Sequence, residues 1–177
     1  MTKLSHSRAL VVVSSDRASQ QVYNDETGPC AKAWLEEHNF LVSKVLVIPD
    51  DNEALLKVLE DHHRDAERPH ESVDLIVVSG GTGLGSRDHT PQVIAHYADY
   101  EIPGFGEMMR AESKKYSPKA LLSRCGAWVI GTQLILAIPG SPKATREHLE
   151  ICHELIPLAL KALKDQCEHQ SSKGKKL

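Results

Sequence analysis

Residues 9–13 read Ala-Leu-Val-Val-Val, an apolar run with no polar residue inside it. A strand with one wet face alternates apolar and polar side chains. This one does not, so both of its faces must be covered. Strands of that kind belong to α/β folds, in which helices pack on either side of a mostly parallel sheet.

The elements that follow fit such a sheet. The polar stretch 14–28 reads as a loop. Gly28-Pro29 then opens a helix, with Pro29 suited to its first turn and Ala31, Trp34 and Leu35 on one face. It ends near His38-Asn39. A second strand covers 41–48 and stops at Pro49. Asp50 or Asp51 is placed to cap the next helix, which carries Leu55, Leu56 and Leu59. Residues 62–72, HHRDAERPHES, read as a charged surface loop, and a third strand covers 73–78.

Helices are expected from Gln92 to about Asp99 and from Pro103-Gly104 onward. Residues 125–138 fit a hairpin turning at Gly131-Thr132, with glycine where a type II′ turn wants it. Ser141 makes a good N-cap, and Pro142 a good first residue, for the last helix. That helix buries Leu149, Cys152, Leu155, Ile156, Ala159 and Leu163, and Pro157 predicts a kink or short break in it. The reading is one domain, 1–166: a three-layer α/β/α sandwich on a mostly parallel mixed sheet with a C-terminal antiparallel hairpin. A polar tail, 167–177, is expected to be disordered.

Composition narrows the function. The chain has 177 residues, 25% of them charged, and a formal net charge of −3, which does not suit nucleic-acid binding. No apolar run approaches the roughly 18 residues of a membrane span, and the start, MTKLSHSRAL, is too polar for a signal peptide. The four cysteines, Cys30, Cys125, Cys152 and Cys167, form no C-x-x-C pair. They read as reduced thiols, with the cytoplasm as compartment.

The third strand runs into SGGTGLGSRDHTP, residues 79–91, with Gly80, Gly81, Gly83 and Gly85 close together. A mononucleotide P-loop would need Lys where Ser86-Arg87 stands, and a dinucleotide fingerprint would need one more residue between its glycines. A third reading starts from physics. Glycines let backbone N–H groups approach a phosphate, Arg87 adds charge, and Asp88 can hold a divalent cation bridging phosphate oxygens. The bland alternative is a tight turn with Asp88 or Thr90 capping the next helix. The other strand exits, Ser14-Ser15-Asp16, Pro49-Asp50 and Pro139-Gly140-Ser141-Pro142, favour the binding loop. In a parallel sheet they share one edge, where Asp16, Asp50 and Asp88 converge. Carboxylates so close repel, and Mg²⁺ with a polyphosphate relieves that repulsion.

At SGGTGLGSRDHTP the chain resembles the MoaB/Mog family of molybdenum-cofactor biosynthesis, which is similar to the G domain of gephyrin and its plant counterpart. VSSDRAS (13–19), VIPDD (47–51), IPGFGEMMR (102–110), ALLSR (120–124) and IPGSPKA (138–144) follow the family's order. The resemblance covers nearly the whole chain. It implies a molybdopterin adenylyltransferase that transfers AMP from ATP to the molybdopterin phosphate and releases pyrophosphate before molybdate insertion. It implies Mg²⁺, ATP as co-substrate, a homotrimer or hexamer, and contact with the downstream molybdate-insertion enzyme.

By the same resemblance, Asp50 and Asp88 are the acidic positions of adenylyl transfer and metal binding. The substrate positions are Ser14 and Asp16 in the first strand exit, and Gly80, Gly81, Thr82, Gly83 and Thr90 in the glycine loop. Gly104, Glu107, Ser123, Gly140 and Ser141 complete them. Gln92 departs from the family, which more often has Glu or Asp there. It can still serve in a capping box. The alternative function is a non-catalytic molybdopterin-binding or scaffolding protein of the same fold. An unrelated nucleotide-binding α/β protein is a third.

Other signals weigh less. Lys114, Lys115, Lys119 and Arg124 form a basic cluster that is a phosphate contact or a solvated helix face. Lys143 adds charge at the last helix N-terminus. His148 and Cys152 read as a surface histidine beside a core cysteine rather than metal ligands. Met108-Met109 read as packing residues, and Trp34 and Trp128 as core or subunit-interface residues.

Overall fold

The computed structural model describes residues 7–20, 22, 24–63 and 73–173. Among the described residues, six strands form one sheet in the order β2-β1-β3-β6-β5-β4. They are β1 (Arg8–Ser14), β2 (Leu41–Ile48), β3 (Leu75–Ser79), β4 (Tyr100–Glu101), β5 (Gly126–Ile130) and β6 (Gln133–Ile138). β2, β1, β3 and β6 are mutually parallel, and β5 runs antiparallel to both of its neighbours.

The unbroken apolar run does what its composition requires. Ala9, Val11 and Val13 point into one core and Leu10 and Val12 into the other. The first core is closed by α2 (Thr27–Glu37), α5 (Pro103–Ser113), α6 (Pro142–Cys152) and α7 (Leu155–Lys173), through Trp34, Met109, Leu149 and Ile156. The second is closed by α3 (Asn52–Asp61) and α4 (Thr90–Tyr97), through Leu55, Leu59 and Ile94. This is the expected three-layer sandwich. Trp34 and Met109 are core residues, and Met108 packs against the core half-buried.

Local chemistry sets the boundaries. Asn39 ends α2 in the left-handed region, at φ 66°. Gly131 carries a positive φ of 54° and Thr132 does not, as a type II′ hairpin turn needs. Three short elements escape the sequence reading: α1 (Asp16–Ser19), β4, and a 3-10 turn at Pro118–Leu122. Each is too short to show a hydrophobic period.

Near Pro157 the observed break lies upstream, at His153-Glu154, so the proline falls in the first turn of α7, where a missing N–H costs nothing. α7 continues through Lys173, into the segment read as a polar tail. Beyond Pro157 no glycine or proline interrupts it before Gly174. Residues 174–177, and 64–72 of the charged loop, lie outside the described residues. Among the described residues no helix is long and apolar enough to cross a membrane.

Candidate active site

Register brings the strand exits together. Ser14 pairs with Ile48, Val13 with Ser79, and Ser79 with Ile138, so four parallel strands end flush. From β1 the chain passes through α2 to β2 on one side. It returns through α3, on the opposite face, to β3 on the other side. It therefore divides at the carboxyl ends of β1 and β3, where open α/β sheets seat their ligands. A cleft of about 740 Å³ opens there, and Asp50, Asp88 and the glycine loop all line it.

The glycines are required by close approach. A Cβ on Gly80, whose φ is 116°, would lie 2.2 Å from the Ser14 carbonyl oxygen. Gly140 presses on the same spot, its missing Cβ only 3.0 Å from Gly80 Cα. A Cβ on Gly81, at φ 64°, would meet Thr90 Oγ1 at 2.4 Å. Behind the floor, the fully buried Ser79 and Thr145 hydroxyls lie 2.9 Å apart, each 3.0 Å from the Pro139 carbonyl oxygen. The consequence is electrostatic. Among the described residues, the N–H groups of Gly81, Thr82 and Gly83 donate to no protein acceptor. Three successive donors lining a cleft form a seat for an anion.

The carboxylates are held in two groups. Asp50 accepts from the Ser14 hydroxyl at 2.9 Å and from the Asp16 N–H at 3.1 Å, and its own N–H donates to Asp16 at 3.0 Å. The Arg87 guanidinium closes this group, 2.5 Å from Asp16 Oδ2 and 3.2 Å from the Asp50 carbonyl oxygen. Capping of α3 falls to Asp51, which accepts from the Ala54 N–H at 2.9 Å and leaves Asp50 for the cleft. Asp88 accepts from the Gly85 N–H at 2.8 Å. It is thus tied to the loop rather than to α4, whose N-cap His89 makes no side-chain cap bond. Capping of α4 by Asp88 or Thr90, the alternative to the binding-loop reading, is not observed.

Arg124 fastens the loop from outside. Its Nε donates to the Gly83 carbonyl at 2.8 Å, another guanidinium nitrogen donates to the Asp88 carbonyl, and its backbone N–H donates to Thr82 at 2.9 Å. The Ser123 hydroxyl reaches Thr82 Oγ1 at 3.4 Å. The basic cluster read from the sequence therefore splits. Arg124 is a strut, Lys119 lines the cleft, Lys115 pairs with Glu112 at 2.9 Å, and Lys114 is exposed.

Ser14, Gly80, Gly81, Thr82, Gly83, Ser123 and Gly140 line the cleft with Asp50 and Asp88. Asp16 stands behind Asp50, and Thr90 is buried under the loop. Gly104 and Glu107 are exposed on α5 and do not line the cleft. Ser141 is also outside it and caps α6, accepting from the Ala144 N–H at 3.3 Å. Gln92 is exposed, in a shallow groove beside α3, and has no N-cap partner for a capping box.

His148 corrects the sequence reading: it is buried, not on the surface. It lines the cleft, with Nδ1 2.8 Å from the Ala144 carbonyl oxygen and Nε2 3.3 Å from the Ser113 hydroxyl. Burial holds its pKa below the usual histidine range, against the opposing pull of that carbonyl and the Glu147 carboxylate. The nearby Cys152 thiol is fully buried, and burial pushes its pKa up to about 12, which keeps it protonated as a core residue. Among the described residues, no three His, Cys, Asp or Glu side chains group as metal ligands.

Known proteins are similar in sequence and fold. Residues 9–159 match the family described as "Probable molybdopterin binding domain". A molybdopterin adenylyltransferase of Helicobacter pylori J99 is 37% identical over 153 residues, which is 83% of this chain and 82% of that protein. The molybdopterin adenylyltransferase of Haemophilus influenzae Rd is 41% identical over 147 residues, 79% of this chain and 70% of that one. The crystal structure of the molybdopterin biosynthesis enzyme MoaB from Thermus thermophilus superimposes with a TM-score of 0.76 at 36% identity, covering 90% of this chain and 96% of the other.

Proposed function

Because the chain belongs to the family of probable molybdopterin-binding domains, we propose that it is a molybdopterin adenylyltransferase. It transfers AMP from ATP to the terminal phosphate of molybdopterin and releases pyrophosphate. The observation that carries this reading is the run of unused N–H groups at Gly81, Thr82 and Gly83 in the cleft that Asp50 and Asp88 also line.

The pterin phosphate attacks the α-phosphorus of ATP in line with departing pyrophosphate. No protein nucleophile is needed. The chain's part is to align two anions and stabilise the charge that moves between them. The N–H groups of the glycine loop take phosphate oxygens. Ser14 and the Asp16 N–H hold the Asp50 carboxylate in place. Arg87 and Lys119 supply positive charge at the rim.

The donor set fits Mg²⁺. Asp50 and Asp88 offer hard oxygen ligands with lone pairs left over, and Mg²⁺ is commonly held by one or two carboxylates together with substrate phosphates. When bound there it neutralises phosphate charge. Thr90 keeps Gly81 in position from below, and Ser123 keeps Thr82 in position from the side. Gly104, Glu107 and Ser141, outside the cleft of one subunit, belong to the substrate path in a trimer or a dimer of trimers. The enzyme works in the cytoplasm and hands its product to the molybdate-insertion enzyme.

The test is direct. Wild-type protein incubated with molybdopterin, ATP and Mg²⁺ should release pyrophosphate. Asp50→Asn and Asp88→Asn should each reduce release by about 100-fold or more, a loss of about 3 kcal/mol in the transition state, while molybdopterin still binds. Wild type that binds the pterin and releases no pyrophosphate is a scaffold, and the enzymatic reading fails.

A further inference from the structure

The cleft has two chemically different ends. At the strand exits it offers N–H donors and the two aspartates. At the other end, between α5 and α6, it is lined by Ser113, Tyr116, Ser117, Glu147 and His148. No sequence motif pointed there.

That second end is rich in acceptors. His148 Nδ1 faces a carbonyl oxygen 2.8 Å away, so Nδ1 carries the proton and Nε2 is left bare. Nε2 then accepts from the Ser113 hydroxyl at 3.3 Å, which leaves the lone pairs of Ser113 free. Glu147 stands beside them with its side chain 23% exposed. Its one ion pair among the described residues is with Lys143, at 3.8 Å, and that ammonium is 84% exposed. Such a pair is weak and screened. No hydrogen bond to the Glu147 carboxylate is found among the described residues. A carboxylate on a cavity wall thus has both oxygens free of hydrogen bonds from the described residues, with one weak ion pair at its outer side.

Two heterocycles compete for this end if the adenylyltransferase reading, on which this inference rests, is right. Adenine presents one amino group flanked by ring nitrogens that accept. A pterin presents a 2-amino group next to a ring N–H, two parallel donors that match the two oxygens of a carboxylate. A triphosphate is repelled by the same carboxylate. We propose that Glu147 recognises the amino-oxopyrimidine edge of the pterin. The α5–α6 end of the cleft then seats the ring, the strand-exit end seats the phosphates, and adenine lies elsewhere.

The experiment measures binding of molybdopterin and of ATP separately, by titration calorimetry with the full chain, and pyrophosphate release with wild type. Glu147→Gln, which keeps shape and removes charge, should weaken molybdopterin about 10- to 100-fold and leave ATP within about twofold. Free pterin and lumazine, its analogue with oxygen in place of the 2-amino group, are compared as competitors of molybdopterin. Wild type should prefer pterin by about tenfold or more, and Glu147→Gln should bring the ratio close to one. A merely structural role for Glu147 would not move that ratio.

Equal molybdopterin binding by wild type and Glu147→Gln overturns the inference while the enzymatic reading stands. So does a variant whose main loss is in ATP. Wild type that neither binds molybdopterin nor releases pyrophosphate overturns both. Glu147→Asp, which keeps the charge on a shorter arm, should recover part of the pterin preference, and a ratio no better than that of Glu147→Gln also counts against the assignment.

Discussion

The guanidinium of Arg124 spans the glycine loop, with Nε on the Gly83 carbonyl and a terminal nitrogen on that of Asp88. A lysine ammonium is a point charge and cannot hold both carbonyls in that fork. In Arg124→Lys the unused N–H groups of the loop should therefore lose their common aim. We expect kcat/KM for pyrophosphate release to fall about 10- to 100-fold. The urea midpoint should shift by less than about 1 kcal/mol in stability, because water replaces the lost donors on a surface loop. A variant with wild-type kcat/KM would show that the loop is rigid without this strut. Arg124 was visible in the sequence as the end of the ALLSR motif and as one member of a basic cluster, without the role it plays. A side chain that grips backbone carbonyls leaves no pattern of spacing. By contrast Gly80 and Gly81 were legible, since only glycine fits where a Cβ would lie 2.2 Å from the Ser14 oxygen or 2.4 Å from Thr90. Asp50 was half-legible. The sequence offered Asp50 and Asp51 equally as caps, and only the structure sorts them, one to the cleft and one to α3.

At the scale of elements, the reading succeeded where one residue controls an element's end. Asn39, Gly131 and Ser141 each do so through a backbone angle or a cap. It failed for α1, β4 and the 3-10 turn, whose formation depends on tertiary contacts such as the Ile102 N–H on the Ala127 carbonyl beside β4. Ser141 shows how one residue admits two meanings. The family resemblance marks it as a substrate position, whereas its side chain caps α6 from outside the cleft. Ser141→Ala separates them. Loss of the cap alone costs about 1 kcal/mol, or about 2–4 °C in Tm for a chain of this size, with both KM values unchanged. A rise in either KM beyond about threefold, roughly 0.6 kcal/mol, would return Ser141 to the substrate path, as a neighbouring subunit in a trimer would allow.

For the whole molecule, α6 is the element that ties site to core. Its start abuts the strand exits, its buried face carries Leu149 and Cys152 into the first core, and Glu150 accepts the Trp34 indole N–H at 2.8 Å from α2. His148 lies at the centre of that helix, and burial keeps it neutral when folded, with a pKa below the usual histidine range. Unfolded, it titrates near 6.5. Between the folded and unfolded values the unfolded chain binds the extra proton, so stability rises with pH across that window and is lost as pH falls from about 6.5 toward the folded pKa. The groups facing His148 are the Ser113 hydroxyl, the Ala144 carbonyl and the Glu147 carboxylate, and none neutralises an imidazolium buried this deeply at no cost. Urea unfolding of wild type and His148→Gln at pH 7.5, 6.5 and 5.5 isolates this contribution, because carboxylate titrations are common to both chains. Glutamine can still donate to Ala144 and accept from Ser113. Wild type should lose more stability on acidification than the variant, by no more than about 1.4 kcal/mol per pH unit, the limit for one proton. Parallel curves for the two chains would mean that His148 is as readily protonated inside the fold as outside it, and that the α5–α6 end of the cleft is wetter than its packing implies.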